Sequence, residues 1–234
     1  MSKKKVILFI VEGVTDEASL GSILSGLINN DQIRFQIYHG DILTDYHNSA
    51  KNIKSKVGDE INKFLETEHY LKDDIARVIH LIDTDGVFIK DKFVIEDSHT
   101  SGTIYLEGEG IKTKSKIKII DRNKKKRQLI NILYTSSKIS TIDYRMYYFS
   151  ANLEHVFHND ANVVDSKKSK LSDDFAFKYY DKEIEFLDFI NSKDIAVEGD
   201  YNQSWDFIKQ KLNSINRNSN FHLFFPKNRW KFEY

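Results

Sequence analysis

The chain has 234 residues, 40% of them hydrophobic, which is enough for one large domain with a sizeable core. Lys and Arg number 35 and so do Asp and Glu, so net charge argues neither for nor against an anionic partner, and any such signal must be local. There is no cysteine, which excludes disulfides, thiol catalysis, Fe–S clusters and cysteine-ligated zinc and makes hard cations on carboxylates the default metal chemistry.

Lys3, Lys4 and Lys5 precede an apolar run, Val6 to Val11, that stops at Glu12. It is too short for a signal peptide or a membrane span, and no longer run follows, so a cytoplasmic protein without membrane contact is expected. The same run, β-branched and aromatic, reads as a strand covered on both faces in a parallel sheet. After Glu12-Gly13, a cap at Thr15-Asp16-Glu17 opens a helix carrying Ala18, Leu20, Ile23, Leu24, Leu27 and Ile28. Ile33 to Tyr38 predicts a second strand, Ile53, Val57, Ile61, Phe64 and Leu65 an amphipathic helix, and Arg77 to Ile82 a third strand ending at Asp83-Thr84-Asp85-Gly86. Strands alternating with helices imply an α/β fold with a mainly parallel sheet and right-handed crossovers.

The second half is less regular. Residues 86–120 predict hairpin or loop, 125–133 a helix, and Met146 to Phe149 a further strand. Phe175, Tyr179, Ile184, Leu187 and Ile190 mark a third long helix, and Trp205, Ile208, Leu212 and Ile215 a fourth. The aromatic tail from Phe221 to Tyr234 reads as a packing strand, with a partner surface as the alternative. With no Pro/Ser/Gly linker and no repeat, one elaborated domain is expected. Its α/β core spans 1–100, and the elaboration over 101–234 completes it with the basic segment 112–127, the strand at 146–149 and helix-rich C-terminal part.

In an open parallel sheet, ligands bind beyond the carboxyl ends of the strands. Acids stand there repeatedly: Glu12 after the first strand, Asp41 after the second, Asp83 and Asp85 after the third. Carboxylates crowded together repel one another unless a cation joins them, and an oxygen-only set suits Mg²⁺ or Mn²⁺. In an extended segment residues i and i+2 project to one side, so Asp83 and Asp85 are placed to share an ion; Gly13 and Gly86 allow tight turns beside it. The plain alternative for each acid is a helix cap or a turn residue.

Two segments resemble a known family. Phe9-Ile10-Val11-Glu12-Gly13-Val14-Thr15-Asp16 and Ile79-His80-Leu81-Ile82-Asp83-Thr84-Asp85-Gly86 look like the two signature motifs of the Toprim domain of topoisomerases, primases and OLD-family nucleases. The resemblance covers about the first 90 residues. It implies that Glu12, Asp83 and Asp85 bind Mg²⁺, with Glu12 also a general acid or base. Val87 stands where topoisomerases usually carry a third acid, and the absence of cysteine departs from primases with a zinc module. The pattern is most similar to small RloB-like and abortive-infection nucleases of bacterial phage defence, whose Asn-x-x-Glu-(aromatic or His) segment is loosely resembled by Tyr148 to His158. That likeness adds Glu154, in the first turn of a helix after the Met146 to Phe149 strand, as a catalytic candidate. The helix dipole is the alternative reason for an acid there.

Between Lys112 and Arg127 stand Lys112, Lys114, Lys116, Lys118, Arg122, Lys124, Lys125, Lys126 and Arg127 against Asp121 alone, a local charge of about +8. As a strand, the alternating lysines would form a cationic stripe able to track the phosphates of DNA or RNA; a solvated, aggregation-resistant edge is the alternative. His155 and His158 flank the Glu154 face, but a helix histidine is more often structural. The resulting expectation is a Mg²⁺-dependent nuclease that hydrolyses phosphodiester bonds in anti-phage defence. The alternative is a non-catalytic nucleic-acid or nucleotide sensing module working with a partner ATPase. The resemblance makes such an ATPase a candidate partner in either case, and a homodimer stays open.

Overall fold

The computed structural model describes residues 5–29 and 32–225. In chain order the elements are β1 (Val6–Val11), α1 (Val14–Leu24), β2 (Ile33–Ile37), α2 (Ile53–Thr67), β3 (Ile75–Asp83), β4 (Val94–Glu96), β5 (Thr103–Leu106) and β6 (Gly110–Thr113). There follow α3 (Lys116–Tyr134), β7 (Lys138–Ile139), β8 (Ile142–Phe149), α4 (Leu153–His158), α5 (Asp165–Tyr179), α6 (Glu183–Ile190) and α7 (Tyr201–Ile208).

The main sheet has the order β2-β1-β3-β8-β7. β2, β1, β3 and β8 run parallel, and the short β7 pairs antiparallel with β8. All six residues of β1 are buried, and its period-2 alternation feeds two cores. Val6, Leu8 and Ile10 pack with α2, α3 and α7 on one face; Ile7, Phe9 and Val11 pack with α1, α4, α5 and α6 on the other. This is the continuous apolar run that a doubly covered parallel strand requires.

The helix after β1 lies on one face and the helices after β2 and β3 lie on the other. The chain steps from β1 out to β2, then back across β1 to β3 and on to β8. A helix that changes face when the direction of travel reverses is what one constant crossover handedness demands. The reversal puts a topological switch point between β1 and β3, where an open α/β sheet has its crevice.

Several expectations are corrected. Residues 86–120 do contain a hairpin, β5 with β6, but β4 pairs parallel with β6 to make a second sheet of order β4-β6-β5. It packs over a small core of Ile89, Val94, Ile111, Ile119 and Ile215. The helix expected over 125–133 starts at Lys116 instead, because Ile119, Leu129, Ile130 and Leu133 share one buried face with Asn123 and Lys126 among the lysines. The third long helix is two, α5 and α6, broken at Asp181 with a φ of 54°. The fourth ends at Ile208. Of the aromatic tail, Phe221–Phe224 forms a 3₁₀ turn buried in the second core, not a strand; Trp230, Phe232 and Tyr234 lie outside the described residues. Among those residues no helix is long and apolar enough to cross a membrane.

Candidate functional site

The switch point puts the ends of β1 and β3 side by side, and with them Glu12 and Asp83. A Glu12 Oε1 accepts the Asp83 backbone N–H at 3.3 Å, and Asp83 Oδ1 accepts the backbone N–H of Leu153, the first residue of α4, at 2.9 Å. The exits of β3 and β8 are stitched together. Thr84 N–H donates to Phe149 O and Asp85 N–H to Ala151 O, while Ala151 N–H donates to Thr84 Oγ1 and Thr84 Oγ1 donates to Ser214 O. Asp85 and Ala151 both take a left-handed φ of 51°, the sort of local strain that surrounding structure must impose. Gly86, with a φ of +67°, has a real need to be glycine: a Cβ there would lie 2.3 Å from Ile215 Cγ2.

The left-handed turn at Asp85 overturns the same-side argument for Asp83 and Asp85, which needs an extended chain through both. Asp85 instead points toward α3. Its Oδ2 lies 2.6 Å from Lys126 Nζ, its Oδ1 accepts the Tyr105 hydroxyl at 2.7 Å, and its carbonyl accepts Arg122 Nη2–H at 2.7 Å. The same Lys126 Nζ lies 2.6 Å from Asp41 Oδ2. Lys126 is fully buried; burial opposes its charge, but Asp41, Asp85 and Glu12 around it hold its pKa well above the ordinary lysine value. Asp85 is partly buried, which raises its pKa, yet Lys126 and Arg122 bring it below the usual carboxylate range.

Glu12 and Asp83 have no ion pair among the described residues. Burial, reinforced by Asp41 for Glu12 and by Asp16 and Asp85 for Asp83, pushes both well above the ordinary carboxylate pKa. Asp16, which sequence reasoning takes as a helix cap, does cap: its Oδ2 accepts the Glu12 and Gly13 N–H groups at 3.2 and 3.0 Å. It also belongs to the centre, with its pKa raised to about 6 by burial and by Glu154 against the opposing backbone hydrogen bonds. Glu154 stands in the first turn of α4, after a β8 that runs parallel to β3, and is buried. Lys168 of α5 lies 3.1 Å from its Oε1.

Sequence reasoning missed Lys168, Tyr105 and the placement of Lys126 and Arg122. The basic segment does not form a single strand stripe, because Lys112 lies in β6, which ends at Thr113, and Lys116 begins α3. Lys112 pairs with Asp97 at 2.6 Å, Lys125 donates to Asp45 O at 2.6 Å, and Arg122 and Lys126 face inward; Lys114, Lys118 and Lys124 are exposed. Of the histidines, His155 is buried with Nε2 3.5 Å from Glu107, and His158 stands edge-on to Phe175. Burial lowers the pKa of both.

A polar cleft of about 650 Å³ opens on the centre between β5 and the α4–α5 connection, lined by Asp83, Asp85, Tyr105, Asn152, Asn162 and Lys168 among others. Its donors are oxygens and ammonium groups, a set suited to a hard cation and an anionic ligand rather than an apolar molecule. Glu12 and Asp83, whose pKa values burial and the neighbouring acids push up, supply oxygen donors that suit Mg²⁺ or Mn²⁺ by chemistry. As arranged, no three His, Asp or Glu side chains among the described residues are grouped for coordination, and Lys126 already draws Asp41 and Asp85 together. No protein-family model, no curated protein and no solved structure matches the chain. On their own, fold and site define an α/β protein with a mostly parallel mixed sheet and an acidic centre at its switch point.

Proposed function

We propose that the protein is a Mg²⁺- or Mn²⁺-dependent nuclease of the Toprim type, hydrolysing phosphodiester bonds of DNA or RNA at the acidic centre. The observation that carries this reading is the convergence of Glu12, Asp16, Asp83 and Glu154 where β1, β3 and β8 end, beside a polar cleft that also exposes Lys168. When bound, the cation would polarise the scissile phosphate and offset the charge that develops on it. Glu12 and Asp83 would hold it. Lys168 is placed to receive a phosphate oxygen from the cleft, and its 3.1 Å contact orients Glu154 as a proton-transfer group. Arg122 and Tyr105 fix Asp85, and Tyr105 lines the cleft beside it. A role in phage defence, with a partner ATPase, rests on the likeness of the two motifs to defence nucleases.

One observation favours a second reading, a non-catalytic module that senses nucleic acid or a nucleotide: Lys126 already pairs with Asp41 and Asp85, two of the acids at the strand ends. A plasmid-nicking and RNA-cleavage assay separates the two. The nuclease reading expects cleavage with Mg²⁺ or Mn²⁺, none with EDTA, and a rate at least about a hundredfold lower in Glu154→Gln. Binding without cleavage under every metal condition would select the sensing module.

A further inference from the structure

The main sheet does not stop cleanly at β8. Beside Phe149 it is continued one residue at a time, by Ser219, which bridges antiparallel to Phe149, and by Ala196, which bridges parallel to Ser219. Val197 N–H donates to Ser219 O at 3.2 Å, and Ser219 N–H donates to Ile195 O at 2.8 Å. Ala196 and Val197 also line a groove of two lobes, about 600 and 530 Å³ in volume, that meet at Gly199 and Leu223. Its apolar surface comes from Leu187, Val197, Leu223 and Phe225 in one lobe and from Tyr147 and Tyr201 in the other. The groove shares no lining residue with the acidic cleft.

Phe225 is both a wall of the groove and the last described residue, and nine residues follow it in the sequence, Pro226 to Tyr234. Phe225 leaves the 3₁₀ turn in extended conformation, with φ −83° and ψ 137°, as a residue before proline must. Nine extended residues reach up to about 30 Å. Trp230, Phe232 and Tyr234 alternate with Arg229, Lys231 and Glu233, so an extended chain carries the aromatic rings on one side and the charges on the other. Three such rings offer about 450–750 Å² for burial, as much as the largest apolar patch a monomer commonly exposes.

The rim of the groove suits the charged side. Glu198 and Asp200, both exposed, flank Gly199 where the lobes meet and complement Lys227, Arg229 and Lys231. Lys193 and Arg145, one in each lobe, complement Glu233. A segment tethered at the groove's own wall is presented there at an effective concentration on the order of millimolar, which favours it over a free ligand.

We propose that residues 226–234 of the same chain dock in this groove, with Trp230, Phe232 and Tyr234 on its apolar surface and the basic side chains at its acidic rim. The groove is then an internal docking surface, and its occupant covers the sheet edge formed at Ala196 and Val197.

Photo-crosslinking of the full-length protein, with Trp230 replaced by p-benzoylphenylalanine, tests this. Mass spectrometry should find position 230 joined to peptides containing Leu187, Val197 or Leu223, and the product should run as a single chain on a denaturing gel. A groove crosslink that runs as two chains would make a second copy the occupant. That result, crosslinks elsewhere, or none, would overturn the proposal. Acrylamide quenching of the unaltered protein gives a second measurement. Trp205 is fully buried, so Trp230 sets the quenching. It should be several-fold weaker than in a synthetic peptide of residues 226–234, and should rise toward the peptide's in Leu223→Glu. Quenching equal in protein and peptide, or unmoved by Leu223→Glu, would overturn the proposal even if the crosslinking variant does not fold.

Discussion

Asp16 illustrates how one side chain serves fold and site at once. Its carboxylate closes the start of α1 by accepting the Glu12 and Gly13 N–H groups, and its pKa stands near 6 in the folded chain against an ordinary 3.8. Because the folded value lies above the unfolded one, the native state keeps the proton over that interval, and this residue's contribution to stability is lost as pH climbs from about 4 through about 6. Asp16→Asn retains an oxygen acceptor and discards the charge. The variant should gain on the parent as pH rises across that window, by about 2–4 °C in melting temperature if about 1 kcal/mol is relieved; parallel melts at pH 4 and pH 7 check it, and a constant gap would assign Asp16 to capping alone. The positions of Glu12, Asp41, Asp83 and Asp85 at strand ends were legible in the sequence because apolar runs stop abruptly at or shortly before them. The partner of two of them was not. Lys126 sits in a run of basic residues where nothing chemical distinguishes it, and only a helix drawn from Lys116 shows it on the face of Ile119 and Ile130.

At the scale of elements, α3 is the clearest case of a charge run whose meaning depends on its phase. Burial takes Lys126 for the centre and places Arg122 against Asp85, leaving Lys114, Lys118 and Lys124 exposed. If this face meets nucleic acid, Lys114→Gln, Lys118→Gln and Lys124→Gln together should lower the salt dependence of binding by up to about three phosphate contacts, a slope change of about 2–3 in log–log terms. An unchanged slope in a filter-binding series would make the face a solvated one. The strand-stripe expectation failed because alternating lysines fit a strand and a helix start equally well, and tertiary packing of Ile119 decided between them. β1, β3, β8 and α2 were legible because length and period agree in each. The small sheet was not, since β4, β5 and β6 are three or four residues long and one of its pairings is non-local.

For the whole molecule, alternation along β1 and β8 builds a core on each side of one sheet, and strand order alone then brings the acids together from positions far apart in sequence. That convergence follows from topology and could be argued in advance only for strands already read as parallel. The stitch of Thr84, Ala151 and Ser214 has a kinetic consequence. Three loops tied to one another and to two central strands belong to the slowest-opening unit of the fold, although loops ordinarily open first. In native-state hydrogen exchange the amides of Thr84, Asp85 and Ala151 should therefore exchange as slowly as those of β3; exchange at the rate of surface turns would show that the stitch does not hold. β5 is tethered more lightly, its Tyr105 backbone bracketed by the side chain of exposed Asn162 at 2.8 Å on both N–H and C=O. The floor of the cleft thus belongs to the main sheet and its β5 rim to the small one.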